Sequence, residues 1–280
     1  MQISIKTYLI VLLILATFWS CMNDEEWAKH HQNFDQELGR GLFVVCEGNF
    51  MFGNSSLSFY NIDNKEVRTQ IFSKENGLPL GDVAHSITLY DTLAFVVINN
   101  SGKIYVINTL NFQYVGKITG LTSPRYIEIM NDRKAYVSDL YAQSITIVDP
   151  LGENFQKTRV AQGEITGRID LKNKASKFSQ HPSEQLIRVG NKLFTNCWSY
   201  DNQIMVIDTQ TDTVIDSIAV GKQPASMVLD ANDNLWVFCD GGYKNSPYGQ
   251  EPASIYKVST PNHQAEKVIQ LDESIGSTLQ

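Results

Sequence analysis

The sequence predicts an all-β fold, a β-propeller built from four-stranded antiparallel blades. A short β-type run recurs five times, with start-to-start spacings of 51, 42, 58 and 42 residues. Outside the N-terminus, no segment shows a convincing apolar period of ~3.6 residues. Repeats of ~45 residues that consist only of short strands are typical of propeller blades. The five copies of the run occupy residues 42–46, 93–97, 135–139, 193–197 and 235–239.

Three further runs complete the predicted blade, whose strands we letter a to d from the axis outward. The recurring run is strand b, the next two runs are strands c and d, and the run that leads into the following repeat is strand a. The c runs lie at residues 57–60, 104–107, 145–148, 204–207 and 255–258. The clearest d runs lie at residues 114–118, 214–220 and 267–271, and the clearest a runs at 126–130, 186–189 and 226–229.

The propeller is expected to span residues 41–280, with five visible repeats and the start of a sixth. The first repeat lacks its leading a strand. Residues 276–280 resemble the opening of another blade, so they either close a five-bladed ring or begin a blade of a truncated larger ring. We favour truncation because the last segment is interrupted inside a strand.

The N-terminus predicts export and a lipid anchor. Lys6 precedes an apolar run over residues 8–19 that is too short to cross a bilayer, which is the layout of a signal peptide over residues 1–20. Cys21 then follows a small residue, as in a bacterial lipobox, although an ordinary signal with a chance cysteine is the alternative. Residues 21–40 are read as the lipidated cysteine and a polar tether. The expected location is the outer membrane, with the lipid as the only membrane attachment and the domain exposed at the cell surface.

Charge and cysteine spacing exclude several functions. The net charge of −7 and the pI near 5.3 argue against nucleic-acid binding. Cys46, Cys197 and Cys239 occupy the same position of the recurring run, which predicts a buried packing slot. Neither a CxxC nor a paired-histidine spacing is present, so the sequence predicts no metal site and no cofactor.

Meander geometry predicts which face of the propeller binds a ligand. The b–c and d–a loops share one face, which we call the top face, and loops on a rigid scaffold carry function. The two largest insertions, residues 164–181 and 241–252, are assigned to these loops. Aromatic and hydrogen-bonding residues there suit a large, flat, partly polar ligand, although some of them are alternatively blade-to-blade contacts. The predicted ligand-binding residues are Asn49, Phe50, Asn100, Arg125, Tyr141, Gln185, Trp198, Tyr200, Gln223 and Tyr243.

Catalysis has little support in the sequence. There is no GxSxG nucleophile motif, so no catalytic residue is assigned and the protein is predicted not to be an enzyme. The alternative is a metal-assisted propeller lyase or lactonase that uses His181 and Glu184, with His85 on a neighbouring loop.

Two groups of motifs carry a family resemblance. Residues 203–209, followed by 214–215 and 220–224, resemble repeats of the YVTN or surface-layer type of propeller. Residues 43–60, 196–200 and 240–243 are similar to a lipoprotein subgroup of these propellers, with Cys46 in place of the customary Asn.

The resemblance implies a seven-bladed ring, and therefore a truncated seven-bladed propeller here. The best-understood members capture vitamin B12 at the cell surface and pass it to a TonB-dependent outer-membrane transporter. The resemblance thus implies a small-molecule ligand of the corrinoid class and such a transporter as partner. A protein–protein scaffold of the envelope is the alternative.

Overall fold

The computed structural model describes residues 40–176 and 179–272, and it confirms the predicted all-β propeller of antiparallel blades. Within these ranges the chain forms five successive blades in chain order. The predicted signal peptide, the lipidation at Cys21 and the tether up to residue 39 lie outside the described residues. So do residues 273–280, on which the start of a sixth blade was predicted.

The strands follow the predicted meander. The first two blades consist of β1 (Gly41–Cys46), β2 (Ser56–Asn61) and β3 (Val67–Arg68), then β4 (Ala84–Tyr90), β5 (Leu93–Ile98), β6 (Lys103–Asn108) and β7 (Tyr114–Ile118). The third and fourth consist of β8 (Pro124–Asn131), β9 (Lys134–Asp139), β10 (Ser144–Asp149) and β11 (Ala161–Asp170), then β12 (Ser183–Val189), β13 (Lys192–Cys197), β14 (Gln203–Asp208) and β15 (Thr213–Ala219). The fifth consists of β16 (Pro224–Leu229), β17 (Asn234–Cys239), β18 (Ser254–Ser259) and β19 (Gln264–Gln270).

Two features differ from the sequence-based expectation. Residues 164–170 belong to strand β11, so the predicted insertion over 164–181 is partly a strand and the d–a loop is only residues 171–182. Two helices were not predicted, α1 (Ile71–Asn76) and α2 (Phe155–Thr158), because six and four residues are too few to show an apolar period. Among the described residues, no helix has the length and apolarity needed to cross a membrane.

Blades two and three are joined at their outer strands. Strands β7 and β11 pair in parallel, with Gly116 opposite Ala161, so the two blades form one eight-stranded sheet. A Cβ on Gly116 would lie 1.9 Å from the carbonyl oxygen of Ala161. Only glycine therefore permits this close approach of two backbones.

The inner strands of successive blades lie side by side and are linked by side-chain hydrogen bonds. Thr88 Oγ1 donates to the carbonyl of Ile127 at 2.9 Å, which links blade two to blade three. Asn196 Nδ2 donates to the carbonyl of Pro224 at 2.6 Å, which links blade four to blade five. These bonds fix the register between blades and so determine which top-face loops become neighbours.

The hydrophobic core is divided among the interfaces between blades. One cluster joins blades one and two, and there α1 inserts Phe72 against Tyr105, with ring centroids 4.7 Å apart. Three further clusters lie between the later pairs of blades. This arrangement follows from strand alternation, because each sheet buries apolar residues on both faces when it has a neighbour on each side.

Strand β1 has one unpaired edge within the described residues, since its sheet contains only β2 and β3 beside it. The missing a strand of the first blade was predicted from the sequence. Along β1, Phe43 and Val45 pack against the core, while Leu42 is 56% exposed and Val44 is 47% exposed. The first blade therefore presents apolar side chains on the face that no other described blade covers.

The cysteines match the predicted packing slot only in part. Cys197 and Cys239 are fully buried at the ends of β13 and β17, as expected. Cys46, at the equivalent position of β1, is exposed because no other blade in the described part of the chain covers its side of β1. All three are free thiols.

Candidate functional site

The top face is formed by the loops that the meander brings to one end of the blades. The b–c loops are residues 47–55, 99–102, 140–143, 198–202 and 240–253. The d–a loops are residues 69–83, 119–123, 171–182 and 220–223. The predicted ligand-binding residues lie in these loops or in the strand ends that adjoin them.

Three tyrosines of blades four and five form an aromatic group, which we call the tyrosine cluster. The rings of Tyr200 and Tyr248 are 4.3 Å apart at centroid and tilted by 48°, and those of Tyr200 and Tyr243 are 6.2 Å apart. The hydroxyls of Tyr200 and Tyr243 are hydrogen-bonded at 3.3 Å. This bond, with burial and the other tyrosines including Tyr141, raises the pKa of Tyr200 to about 12. The phenol of Tyr200 is therefore neutral at physiological pH.

A cleft of about 340 Å³ opens beside this cluster, and we call it the tyrosine cleft. Its walls come from three loops, namely residues 171–182, 198–202 and 240–253. It combines aromatic surface with amide, hydroxyl and carboxylate groups, which is the composition of a small-molecule site. Its lining includes Asn173, Ser176, Tyr200, Asp201, Asn202 and Tyr248.

A pocket of about 390 Å³ lies on the opposite face, between blades two and three. Its central carboxylate, Asp132, already accepts hydrogen bonds from Tyr90 and Gln156 at 2.9 and 3.0 Å. This carboxylate is thus already paired within the protein. We regard the tyrosine cleft as the better candidate because its aromatic faces and amides are directed to one space.

Three of the predicted ligand-binding residues hold the loops together. Trp198 Nε1 donates to Asp240 Oδ2 at 3.3 Å, and Gln185 Oε1 accepts the backbone N–H of Met227 at 2.5 Å. Gln223 is buried, and its backbone N–H donates to the carbonyl of Asp201 at 2.8 Å. These contacts link blades four and five beneath the tyrosine cluster.

Arg125 lies in a buried ionic cluster near the inner strands. Its Nε and Nη2 both contact the carboxylate of Glu184 at 2.7 Å, and His85 Nε2 lies 3.2 Å from the same carboxylate. The other ring nitrogen of His85 is 3.3 Å from Glu47. Burial alone would raise the pKa of Glu184, but His85 and Arg125 hold that pKa below its usual value. The cluster is therefore charged, and the guanidinium of Arg125 is paired with Glu184 rather than directed toward a ligand.

The remaining predicted residues lie on blades one to three. The backbone N–H of Asn49 donates to Asn54 Oδ1 at 2.7 Å, and Asn100 Nδ2 donates to Asp82 Oδ2 at 2.5 Å. Phe50 is 63% exposed and is followed by two more exposed apolar residues, so residues 50–52 form an apolar tip. Tyr141 is 62% exposed on the third b–c loop.

Of the predicted ligand-binding residues, the structure therefore brings Tyr200 and Tyr243 together. The others lie elsewhere on the top face or form contacts between blades. Tyr248 was not among the predicted binding residues, although it lies in the insertion over 241–252 that the sequence singled out. The available signal was an aromatic residue in the longest top-face loop. Its contact with Tyr200 depends on how blades four and five meet, which no local pattern encodes.

His181 and Glu184, the pair suggested for metal-assisted catalysis, have different partners. Glu184 belongs to the ionic cluster with Arg125, whereas His181 Nδ1 is 2.7 Å from Asp201 Oδ2. Cys197 completes a group with His181 and Asp201 in which one donor atom from each residue lies within 4.8 Å of the others.

The fold and the loop-built site define the chain as a β-propeller protein. Residues 40–267 match a protein family described as a domain of unknown function (DUF5074), and the chain belongs to that family. A search of curated proteins gave no match.

Several solved structures resemble the chain at low sequence identity. The periplasmic gluconolactonase PpgL of Pseudomonas aeruginosa has a TM-score of 0.59 and 14% identity, over 84% of this chain and 68% of that one. The β-propeller domain of Cps50 (Swd1) from Myceliophteria thermophila has a TM-score of 0.57 and 10% identity, over 83% and 75%. Hydrazine synthase of Kuenenia stuttgartiensis has a TM-score of 0.52 and 15% identity, over 67% of this chain and 48% of that one. At these identities the likeness establishes the fold alone.

Proposed function

We propose that this protein is a binding protein that captures a flat, partly polar ligand in the tyrosine cleft. The observation that carries the proposal is the contact between Tyr200 and Tyr248 beside a cleft of about 340 Å³. Aromatic faces supply apolar contact area at little cost in side-chain entropy, and adjacent amides fix the orientation of a ligand. Tyr200 is also held in the left-handed backbone region, with φ of 68°, which is uncommon for an aromatic residue and is enriched at ligand sites.

Pairing of the top-face charges favours binding over catalysis. Glu184 is bound by Arg125, and Asp139 accepts backbone N–H groups of Ser123 and Tyr141 at 2.8 and 3.0 Å. Groups held in this way support loops, whereas a general acid or base must reach the substrate. We therefore propose a non-enzymatic role.

The ligand that we propose is cobalamin or a related corrinoid. A corrin ring is a flat apolar surface fringed with amides, and the tyrosine cluster with Asn173 and Asn202 offers matching groups. The family resemblance of the sequence favours the same ligand, together with lipid anchoring at Cys21, exposure at the outer surface and transfer to a TonB-dependent transporter. These features belong to one proposal for uptake.

The test is isothermal titration of cyanocobalamin into the full chain. We expect one-to-one binding that weakens at least tenfold in Tyr248→Ala and in Tyr200→Gly. Glycine is chosen at position 200 because it takes positive φ readily and leaves the loop unstrained. Lys244→Ala, an exposed change in the same loop as Tyr248, is the matched control and should bind as the wild type does.

Absence of binding by the folded chain would overturn the corrinoid proposal. In that case glycans and siderophores are screened for binding to the wild type and to the same variants. If a ligand of either class binds the wild type and its binding is lost in Tyr200→Gly, the tyrosine cleft remains the proposed site and only the identity of the ligand changes.

A second candidate function is docking of an envelope partner by the apolar tip. Phe50, Met51 and Phe52 are 63%, 76% and 75% exposed. The tip is fixed, because the backbone N–H of Met51 donates to Asp82 Oδ2 at 2.9 Å. A rigid exposed apolar group is typical of an interaction site.

Photo-crosslinking in cells tests the second candidate. A crosslinker at position 52 should give a defined adduct with a TonB-dependent transporter. The control position is Leu110, which is 61% exposed on the opposite face. Equal adducts from both positions would argue against docking by the tip.

A further inference from the structure

We propose that His181, Cys197 and Asp201 form a binding site for Zn²⁺ beneath the tyrosine cleft. One donor atom from each residue lies within 4.8 Å of the other two. Nitrogen, sulfur and oxygen donors in one group are the ligand types that zinc takes in proteins. The inference concerns a site separate from the stacked tyrosines and does not rest on the identity of the cleft's ligand.

The distances suit closure around an ion of this size. In tetrahedral zinc centres with bonds of about 2.0–2.3 Å, neighbouring donor atoms are about 3.3–3.8 Å apart. His181 Nδ1 and Asp201 Oδ2 are now 2.7 Å apart, so they must separate slightly. The sulfur of Cys197 must approach by no more than ~1.5 Å, which a side-chain rotation or a small loop shift supplies.

The charges of the three residues also match a divalent cation. On binding, Cys197 releases its thiol proton to solvent, and neutral His181 binds the metal through Nδ1 with its ring proton on Nε2. A thiolate and a carboxylate then neutralise the two charges of Zn²⁺. A buried sulfur atom thus becomes part of a neutral centre, which avoids the cost of burying a net charge.

The surroundings hold the three ligands in place. The backbone N–H of Met205 donates to the sulfur of Cys197. Asp201 Oδ1 accepts the backbone N–H of Asn202 at 2.7 Å, which leaves Oδ2 directed toward His181. The backbone N–H of His181 donates to the carbonyl of Leu171 at 2.8 Å. Such outer contacts orient ligands in metal centres.

Access to the site comes from the tyrosine cleft. Asp201 lies both in the lining of the cleft and in the ligand group. The side chains of His181 and Asp201 are 16% and 10% exposed, whereas Cys197 is fully buried. Three protein ligands leave a fourth position on zinc for water or for a donor atom of a bound ligand.

The sequence also offers a matched control. Cys239 occupies in blade five the position that Cys197 occupies in blade four, and it is equally buried. In the part of the chain that the structure describes, Cys239 belongs to no comparable group of histidine and carboxylate donors. Replacing Cys239 therefore repeats the packing change without removing a zinc ligand.

The experiment is metal titration of the full chain, without a histidine tag and after removal of metals by EDTA. Titration with Zn²⁺ should show one equivalent bound with micromolar or tighter affinity. Cys197→Ala and Asp201→Asn should each weaken binding at least tenfold, and Cys239→Ala should not. With Co²⁺ as a probe, the wild type and Cys239→Ala should show a thiolate-to-cobalt absorption band, and Cys197→Ala should lack it.

Two results would overturn the proposal. One is the absence of Zn²⁺ binding tighter than millimolar by the folded wild type. The other is binding that survives unchanged in both Cys197→Ala and Asp201→Asn. Asp201→Asn keeps the shape of the side chain, so its result stands even if Cys197→Ala fails to fold. Titration of cyanocobalamin into the zinc-loaded protein and into the EDTA-treated protein tests corrinoid binding separately. Failure of the zinc site can therefore be distinguished from failure of the proposed function.

Discussion

Individual residues of the top face carry either the binding surface or the support beneath it. Tyr200 belongs to the first kind, because its positive φ turns the loop after β13 and its ring contacts Tyr248 across a blade boundary. Glu184 belongs to the second kind, since its buried carboxylate is bound by Arg125 and His85. Three predictions at the scale of the residue follow from burial.

Replacing Glu184 by Gln is expected to destabilise the protein by about 3 kcal/mol. The change leaves Arg125 buried without its counter-charge, which is costly in an interior. The matched control is Glu153→Gln on the surface, which should change the free energy of unfolding by less than ~0.5 kcal/mol. Chemical denaturation of the three proteins at neutral pH measures the difference, and equal stabilities would contradict the structural role.

The same carboxylate predicts a dependence on pH. The folded-state pKa of Glu184 lies below its unfolded value of 4.5, so its contribution is complete well above pH 4.5 and is lost as the pH falls through the folded pKa. The stability difference between wild type and Glu184→Gln should therefore shrink on acidification below pH 4.5. Denaturation curves from pH 7 to pH 3 provide the measurement, and a constant difference would exclude the linkage.

The cysteines are expected to differ in reactivity. Burial raises the pKa of Cys239 to about 12 and raises that of Cys197 as well, whereas Cys46 is exposed. The thiolate is the reactive form, so iodoacetamide should label Cys46 in the folded protein and label the other two only after unfolding. Peptide mapping by mass spectrometry reports each site separately. Labelling of Cys239 at the rate of Cys46 would show that blade five is not packed as described.

At the scale of the element, the parallel pairing of β7 with β11 depends on Gly116. Gly116→Ala places a methyl group 1.9 Å from a backbone oxygen of β11 and should separate the two outer strands. We expect a loss of at least ~2 kcal/mol, as for overpacked sites. Gly190→Ala is the control, because it has open space and incurs only the cost of positive φ, ~1–2 kcal/mol. Hydrogen exchange should show faster exchange in β7 and β11 in Gly116→Ala alone.

At the scale of the whole molecule, the first blade has an open face and an open strand edge among residues 40–176 and 179–272. Exposed apolar strands of this kind promote association between copies. Val44→Lys should weaken self-association of the full chain at least tenfold, because it puts a charge on that face of β1. Val67→Lys, on the short outer strand β3, should leave self-association unchanged. Sedimentation velocity over a range of concentrations gives the comparison, and identical behaviour of both variants would show that β1 is not the contact.

Much of this architecture follows from the sequence, because blade strands are defined by local patterns. Alternation of apolar residues and turn-forming residues at the ends of runs located the b and c strands and assigned the loops to the top face. The same order placed Tyr200 and Tyr243 after the b strands of neighbouring blades. Both residues were therefore expected on the same face of the propeller. Helix α1 was missed because six residues are too few to show an apolar period. The true extent of β11 was missed because residues 164–170 were read as a loop insertion, whereas they pair with β10.

What only the tertiary structure decided is which side chains meet between blades. The contact of Tyr200 with Tyr248 and the pairing of Arg125 with Glu184 join residues from different repeats. So does the group of His181 and Asp201 with Cys197, whose spacing resembles no metal-binding motif. The sequence by itself determined the blades, because period and turn chemistry are local. The composition of the tyrosine cleft was decided by the rotation and spacing between blades. These depend on how the blades pack against one another, and they leave no local signal in the sequence.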